Sequence, residues 1–247
     1  MITIEHTHNG PEGRGHGGTA AGRFAELVNP RAATVRLHAP VPLDTPMRSL
    51  ESSTRASMYA GGDHIATIRP LSAPLDVGQV GRLPSLMVNN AESCWLDARD
   101  GVHMAPTCFA CGHEREIGGL GLRPGPIAET GLHATSWTPA ADDADPDGDD
   151  VEPWMVWAAL DCPTGFAALS KLDASWAAVT GELSVEIRGP VIAGLEHQII
   201  SRHRTTSGRK IGTEAVMVGP LGVTVAVAVA TWIAVPLTTV RPALAAA

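Results

Sequence analysis

Apolar residues recur along this chain in two periods, and the order of the two periods repeats. Residues 18–28 put Ala21, Phe24, Ala25 and Val28 at i, i+3, i+4 and i+7, one face of a helix. Asn29-Pro30 should end it, because proline disfavours the α conformation in the residue before it. The period then drops to two. In ATVRLHAPVPL, residues 33–43, Val35, Leu37 and Ala39 alternate with Arg36 and His38, which predicts a half-buried strand. Two more strands are expected over 47–60 and 64–69, turning at Gly61-Gly62-Asp63. ITIEH, residues 2–6, reads as a short first strand.

Residues 72–107 break the pattern and predict a connector, with one strand near Ser85–Val88. The order then recurs. GLGLRPGPI (119–127) and GLHATSWTP (131–139) are strand candidates, followed by the acidic loop ADDADPDGDDVE. An apolar helix is expected over Pro153–Leu169, with proline in the first turn, where its missing N–H costs nothing. Strands follow at about 178–190, 195–206, 210–218 and 222–235. In both halves a helix precedes antiparallel strands, an α+β arrangement with helices lying against a curved sheet.

The second appearance of that order makes two segments stand out: NGPEGRGHGGTAAGRFAELV (9–28) and VEPWMVWAALDCPTGFAAL (151–169). Each is a loop running into an apolar helix. The first carries His16-Gly17-Gly18 where its helix starts; the second carries a lone acid, Asp161. A helix N-terminus presents unpaired amides and partial positive charge. Gly17 and Gly18 would let a carbonyl oxygen approach those amides closely, and Asp161 would activate water or attack directly. His16 or Asn9 is expected to hold the carbonyl or the water. The tryptophans, Trp154, Trp157 and Trp232 among them, are candidates to line an apolar pocket, although tryptophans are more often core residues.

Composition bounds what such a site serves. At 247 residues and 25.7 kDa the chain fits one large domain or two small ones. Net charge is −8 with 18 scattered basic residues, which argues against a nucleic-acid partner. The most apolar run, LGVTVAVAVATWIAV, is shorter than the roughly 20 residues of a spanning helix, and its β-branched alternation predicts a buried strand instead. No basic stretch and apolar run open the chain, so no secretory signal is expected. Four cysteines, at 94, 108, 111 and 162, are too sparse for a disulfide scaffold and suggest a reducing cytoplasm. Abundant Ala, Gly, Arg and Pro with little Lys suggests a GC-rich bacterial genome.

With HGG opening a helix ahead of antiparallel strands, the chain resembles the hotdog acyl-CoA thioesterases, in which a long helix is wrapped by an antiparallel sheet. The resemblance runs through GHGGTAAGRFAEL, ATVRLHAPVPLD, CFACGHEREIGGLGLRPGP, VWAALDCPTGFAAL and VAVATWIAV. It implies a double hotdog, two long helices each wrapped by a curved antiparallel β-sheet, with a shorter N-terminal copy over 1–84 and a fuller C-terminal one over 85–247. In hotdog enzymes of the phenylacetyl-CoA type, HGG precedes a helical acid by about two turns. Here that acid position falls on Ala25, beside Glu26, and the glycine positions ahead of Asp161 fall on Pro153 and Trp154. In such dimers the acid and the glycine amides come from different subunits. The resemblance therefore implies one composite site, with Asp161, Gly17, Gly18 and His16 as catalytic residues and Asn9, Trp154 and Trp157 against substrate.

The function so implied is thioester hydrolysis on an acyl-CoA or acyl-carrier protein, without cofactor or metal. A hotdog hydratase or dehydratase and a noncatalytic acyl-binding accessory protein are the alternatives, and further dimerisation is compatible with the fused pair. Arg14, Arg23, Arg204, Arg209 and Lys210 are candidates for the phosphates of a pantetheine channel. Cys108-Phe-Ala-Cys111-Gly-His113, with Cys94 or His103 as a fourth group, admits a zinc reading, but a single CxxC more simply predicts a packed turn. Cys162 is expected to pack under its helix, and the acidic loop to be solvated rather than to bind calcium.

Overall fold

The computed structural model describes residues 1–116, 118–145 and 148–242. Ile117 of the CFACGHEREIGGLGLRPGP stretch and Pro146 and Asp147 of the acidic loop lie outside that set.

Ten strands form one antiparallel sheet. In chain order they are β1 (Ala32–Leu37), β2 (Arg48–Glu51), β3 (Ala56–Ala60), β4 (Asp63–Pro70), β5 (Gly125–Pro126), β6 (Leu132–Trp137), β7 (Trp176–Ile187), β8 (His197–Ser207), β9 (Lys210–Val218) and β10 (Thr224–Pro236). Their order across the sheet is β2-β3-β4-β1-β7-β10-β9-β8-β6-β5. The first four strands therefore meet the last six at a single seam, where β1 pairs with β7 from Ala32 opposite Glu186 to Arg36 opposite Glu182. The Val-rich run is β10, buried at the centre between β7 and β9.

Helices α1 (Gly17–Ala25) and α3 (Pro153–Leu169) pack on one face of this sheet. Every residue of α3 from Met155 to Leu169 is buried, as expected for a helix apolar all round. The other face is covered too. There Val216, Val218 and Val227 pack with Val88 and Ala91 of α2 (Ser85–Ser93) and with Leu75, Val77, Val80 and Leu83 of the connector. Their neighbours Ala215, Met217, Ala226 and Ala228 point to the helix side, the period of two in a sheet buried on both faces.

Four sequence expectations change. Ser85–Val88 is the first turn of helix α2, not a strand; Val88 and Ala91 face inward at helical spacing, a period that a four-residue window cannot reveal. ITIEH makes an isolated bridge from Ile2 to Met47 and then a 3-10 turn over His6–His8. The run 47–60 is two strands, because Ser52 closes a turn through its N–H to the Arg55 carbonyl. In 119–127 only Gly125–Pro126 pairs, since Gly119 and Gly121 have φ of 105° and 65° and break the extended backbone. Among the described residues no helix is long and apolar enough to cross a membrane.

Candidate active site

The close approach of α1 to α3 is built from glycine. A Cβ on Gly18 would lie 2.5 Å from the Asp161 Cβ and 2.8 Å from the Trp157 carbonyl, and one on Gly22 would lie 2.7 Å from the Trp154 Cα. Neither position can accept a side chain without parting the helices. The pairing of 18 with 161 and 22 with 154 runs the two helices antiparallel, which sets the N-terminus of α1 against the middle of α3.

Asp161 stands at that crossing, 2% exposed. A carboxylate in such a place needs partners, and three donors surround it. The Gly18 N–H donates to Oδ2 at 2.9 Å, the Thr180 hydroxyl donates to Oδ1 at 3.1 Å, and the His16 Nε2 lies 3.2 Å from Oδ2. His16 is the N-cap of α1: its Nδ1 accepts the Thr19 N–H at 3.2 Å. With Nδ1 accepting, Nε2 carries the proton toward Asp161. Burial pushes the Asp161 carboxyl above its ordinary range, against the opposing pull of His16, the Gly18 amide and the Thr180 hydroxyl.

These groups open onto a cavity of about 270 Å³. Its walls are mostly apolar and come from both halves: Gly15, Leu37, Ala39 and Val41 on one side, Phe166, Leu169, Val179 and Trp232 on the other. His16, Gly17, Asp161 and Thr180 all line it. The Gly17 N–H, in the first turn of α1, has no hydrogen-bond partner among the described residues. The Gly18 amide, by contrast, is taken by Asp161. Arg14 stands at the wall. Through Leu37, His38 and Ile233 the cavity adjoins a more polar cleft of about 330 Å³ that carries Arg36, Glu182 and Lys210.

The remaining expected residues lie elsewhere. Asn9 does not line the cavity; its side chain donates to Thr107 and accepts from Arg115, tying two loops together. Trp154 and Trp157 also lie outside the wall. Trp157 is fully buried and donates to the Pro30 carbonyl at 2.8 Å, and Trp154 bonds Glu152 and stacks near Phe109. Of the tryptophans, Trp232 is the one that reaches the cavity, fixed by its N–H to the Thr164 hydroxyl at 3.1 Å. At the far end of the helix pair, the positions corresponding to the site are closed by Arg23, which pairs with Glu26 at 3.0 Å and approaches Glu152 at 3.9 Å. Arg204 pairs with Glu214 on the opposite face of the sheet. Thr180 has no distinguishing signal in sequence, being one polar residue of a long strand.

Cys108 and Cys111 sit on a turn closed by the Gly112 N–H to the Cys108 carbonyl at 2.8 Å. They converge on Cys162 of α3, whereas Cys94 bonds its own helix and His113 pairs with Glu114.

No family model matches the sequence, and no curated protein matches it. Among solved structures, the tesB protein of Mycobacterium avium subs paratuberculosis superposes with a TM-score of 0.59 at 12% identity, covering 92% of this chain and 89% of that one. A candidate thioesterase of Novosphingobium aromaticivorans DSM 12444 also superposes at 0.59, with 11% identity and coverage of 94% and 93%. Both likenesses span both halves and the seam between them, and so the chain has the α+β double-hotdog fold.

Proposed function

We propose that the protein hydrolyses acyl thioesters at one composite site per chain. The observation that carries this reading is the buried Asp161 carboxylate, held at the N-terminus of α1 on the wall of an apolar cavity to which both halves contribute. The acyl chain would lie against Phe166, Leu169 and Trp232. The thioester oxygen would accept the unpaired Gly17 N–H, where the helix dipole favours developing negative charge. Asp161 takes a proton from water as the water oxygen adds to the carbonyl carbon. The C–S bond then breaks, the proton goes to the departing sulfur, and a carboxylic acid and a free thiol leave, the acid then losing its proton to solvent. Burial, which raises the carboxyl, makes Asp161 a stronger base than an exposed aspartate.

The reading names coenzyme A as the carrier, ahead of an acyl-carrier protein, because Arg36 and Lys210 flank the polar cleft beside the cavity and suit phosphate groups. A cytoplasmic enzyme and a division into halves at residues 84 and 85 belong to the same proposal. Release of free thiol from a panel of acyl-CoAs of graded chain length, aromatic acyl groups included, tests it. Turnover of at least one member is expected. Binding without thiol release across the panel would favour an acyl-binding accessory protein.

A further inference from the structure

Three of the four cysteines meet at the cavity, Cys108 and Cys111 from one turn and Cys162 from α3. Cys108 Sγ lies 3.8 Å from Cys162 Sγ, and Cys162 Sγ lies 3.5 Å from His16 Nε2. The ligating atoms of His16, Cys108 and Cys162 all fall within 4.8 Å of one another, a set that Cys111 does not join. Cys111 Sγ is 2.9 Å from Cys162 Sγ and also bonds Cys108. All four residues are buried.

These separations have a metric meaning. A tetrahedral metal with M–S of about 2.3 Å and M–N of about 2.05 Å has S···S edges of about 3.8 Å and S···N edges of about 3.5 Å. The Cys108–Cys162 and Cys162–His16 separations equal those edges. The Cys111–Cys162 separation is shorter than an edge, yet well beyond the bond of about 2.05 Å in a disulfide. Two residues between Cys108 and Cys111 is a common spacing for paired thiolate ligands. Gly112 makes the turn possible, since a Cβ there would lie 2.5 Å from the Cys108 N and 2.6 Å from its carbonyl oxygen. The Cys111 thiol and amide both hydrogen-bond Cys108.

We infer that Cys108, Cys111, Cys162 and His16 form a closed Cys₃His site for a thiophilic divalent cation of the zinc class. Four protein ligands leave no open position, so the ion's role is structural: it ties the 105–112 loop to α3 and to the cap of α1. His16 can serve in this way because its second nitrogen has two partners. Besides the Thr19 amide, Nδ1 lies 3.1 Å from the Thr19 hydroxyl. With the proton on Nδ1 and donated to that hydroxyl, Nε2 is free for metal, and the Thr19 N–H gives up its ring acceptor. Asp161 then keeps the Gly18 and Thr180 donors and loses the His16 one. Metal and Asp161 are therefore alternative partners of one nitrogen.

The inference does not depend on the hydrolase reading, and its test reads the metal alone. Full-length protein is purified under a non-chelating reductant, stripped of metal, and titrated with Co²⁺. A thiolate-to-cobalt charge-transfer band should grow to one equivalent per chain and vanish on adding Zn²⁺. Cys108→Ser, Cys111→Ser and Cys162→Ser should each weaken Zn²⁺ binding by more than the roughly 10–100-fold that an outer-shell partner is worth, and Thr19→Val by about that amount. Cys94→Ser, outside the cluster, should bind as the parent does. Wild-type protein that gives no charge-transfer band, a Cys162→Ser variant whose band intensity and affinity equal the parent's, or a denatured thiol count of two in place of four would overturn the site, the last in favour of a Cys111–Cys162 disulfide. Any of these can fail while thiol release from acyl-CoA stands.

Discussion

The Gly18 amide and the Asp161 carboxylate are joined across 2.9 Å, although 143 residues separate them in the chain. The bond fastens the first turn of α1 to the middle of α3. It gives each residue two tasks. Gly18 allows the helices to touch and supplies a donor; Asp161 is both the cap partner of another helix and the one acid at the cavity wall.

Replacing Asp161 with Asn removes the proposed base while keeping the shape and an acceptor for the Gly18 N–H. We expect thiol release to fall by roughly 100-fold or more, the scale on which general-base catalysis contributes. The thermal midpoint should hold or rise, because a buried charge gives way to a neutral amide. Wild-type turnover in Asp161→Asn would remove Asp161 from the mechanism.

Gly22 separates helix propensity from packing. On an isolated helix Gly→Ala stabilises by about 1 kcal/mol. Here the added Cβ would lie 2.7 Å from the Trp154 Cα. Overpacking of this kind costs about 1–3 kcal/mol, so Gly22→Ala should be destabilised in urea unfolding. A stabilised variant would mean that the two helices can part freely at that point.

Two buried histidines make the fold acid-sensitive. Burial holds His133 and His103 down to about 4 each, from an ordinary 6.5. Between those values the unfolded chain binds protons that the folded chain refuses. Stability is therefore full above about pH 6.5 and falls as the pH drops toward 4, by about 3 kcal/mol per residue at the limit. Urea midpoints at pH 7 and pH 4.5 should show the decline, and His133→Leu should reduce it. An acid-side loss equal to that of the parent would rule His133 out as a source.

On the opposite face of the sheet, Glu214 is nearly buried and holds Arg202 at 2.7 Å, Arg204 at 3.1 Å and the Gly78 N–H at 2.9 Å. It pins the connector to β9. Glu214→Gln keeps an acceptor but loses the charge, at a cost of roughly 1.5–3 kcal/mol for bonds to charged partners. Limited proteolysis should then cut within residues 72–84 faster than in wild type, and equal rates would show that the apolar contacts of Leu75, Val77, Val80 and Leu83 suffice.

What the sequence made legible follows from how local each signal is. Helix α3 was readable to its ends, because an unbroken apolar run with proline in its first turn has few other solutions. Strands β7 to β10 were readable from their alternation. His16, Gly17, Gly18 and Asp161 could be named from a motif split between two copies. The cavity wall could not be read from tryptophan content. On α3, positions 154, 157, 158 and 161 form one stripe facing α1, while 162, 165, 166 and 169 form another facing the cavity. Asp161 sits on the border between the two, and Trp154 and Trp157 are on the wrong side of it. Sorting α3 by stripe would have pointed to Phe166 and Leu169. Thr180 and the meeting of Cys162 with the CxxC turn depend on tertiary contacts, and no local pattern encodes them.

The two ends of the α1–α3 crossing differ in kind. One holds a carboxylate beside a cavity; the other is closed by Arg23, Glu26, Glu152 and Trp154. In an assembly of identical subunits both ends would be the same, and two occupied sites could sense each other through the helix pair. The two ends of this crossing lack that symmetry. On the proposed single site, saturation of a single chain should be hyperbolic, and any sigmoid response would have to come from the association of chains.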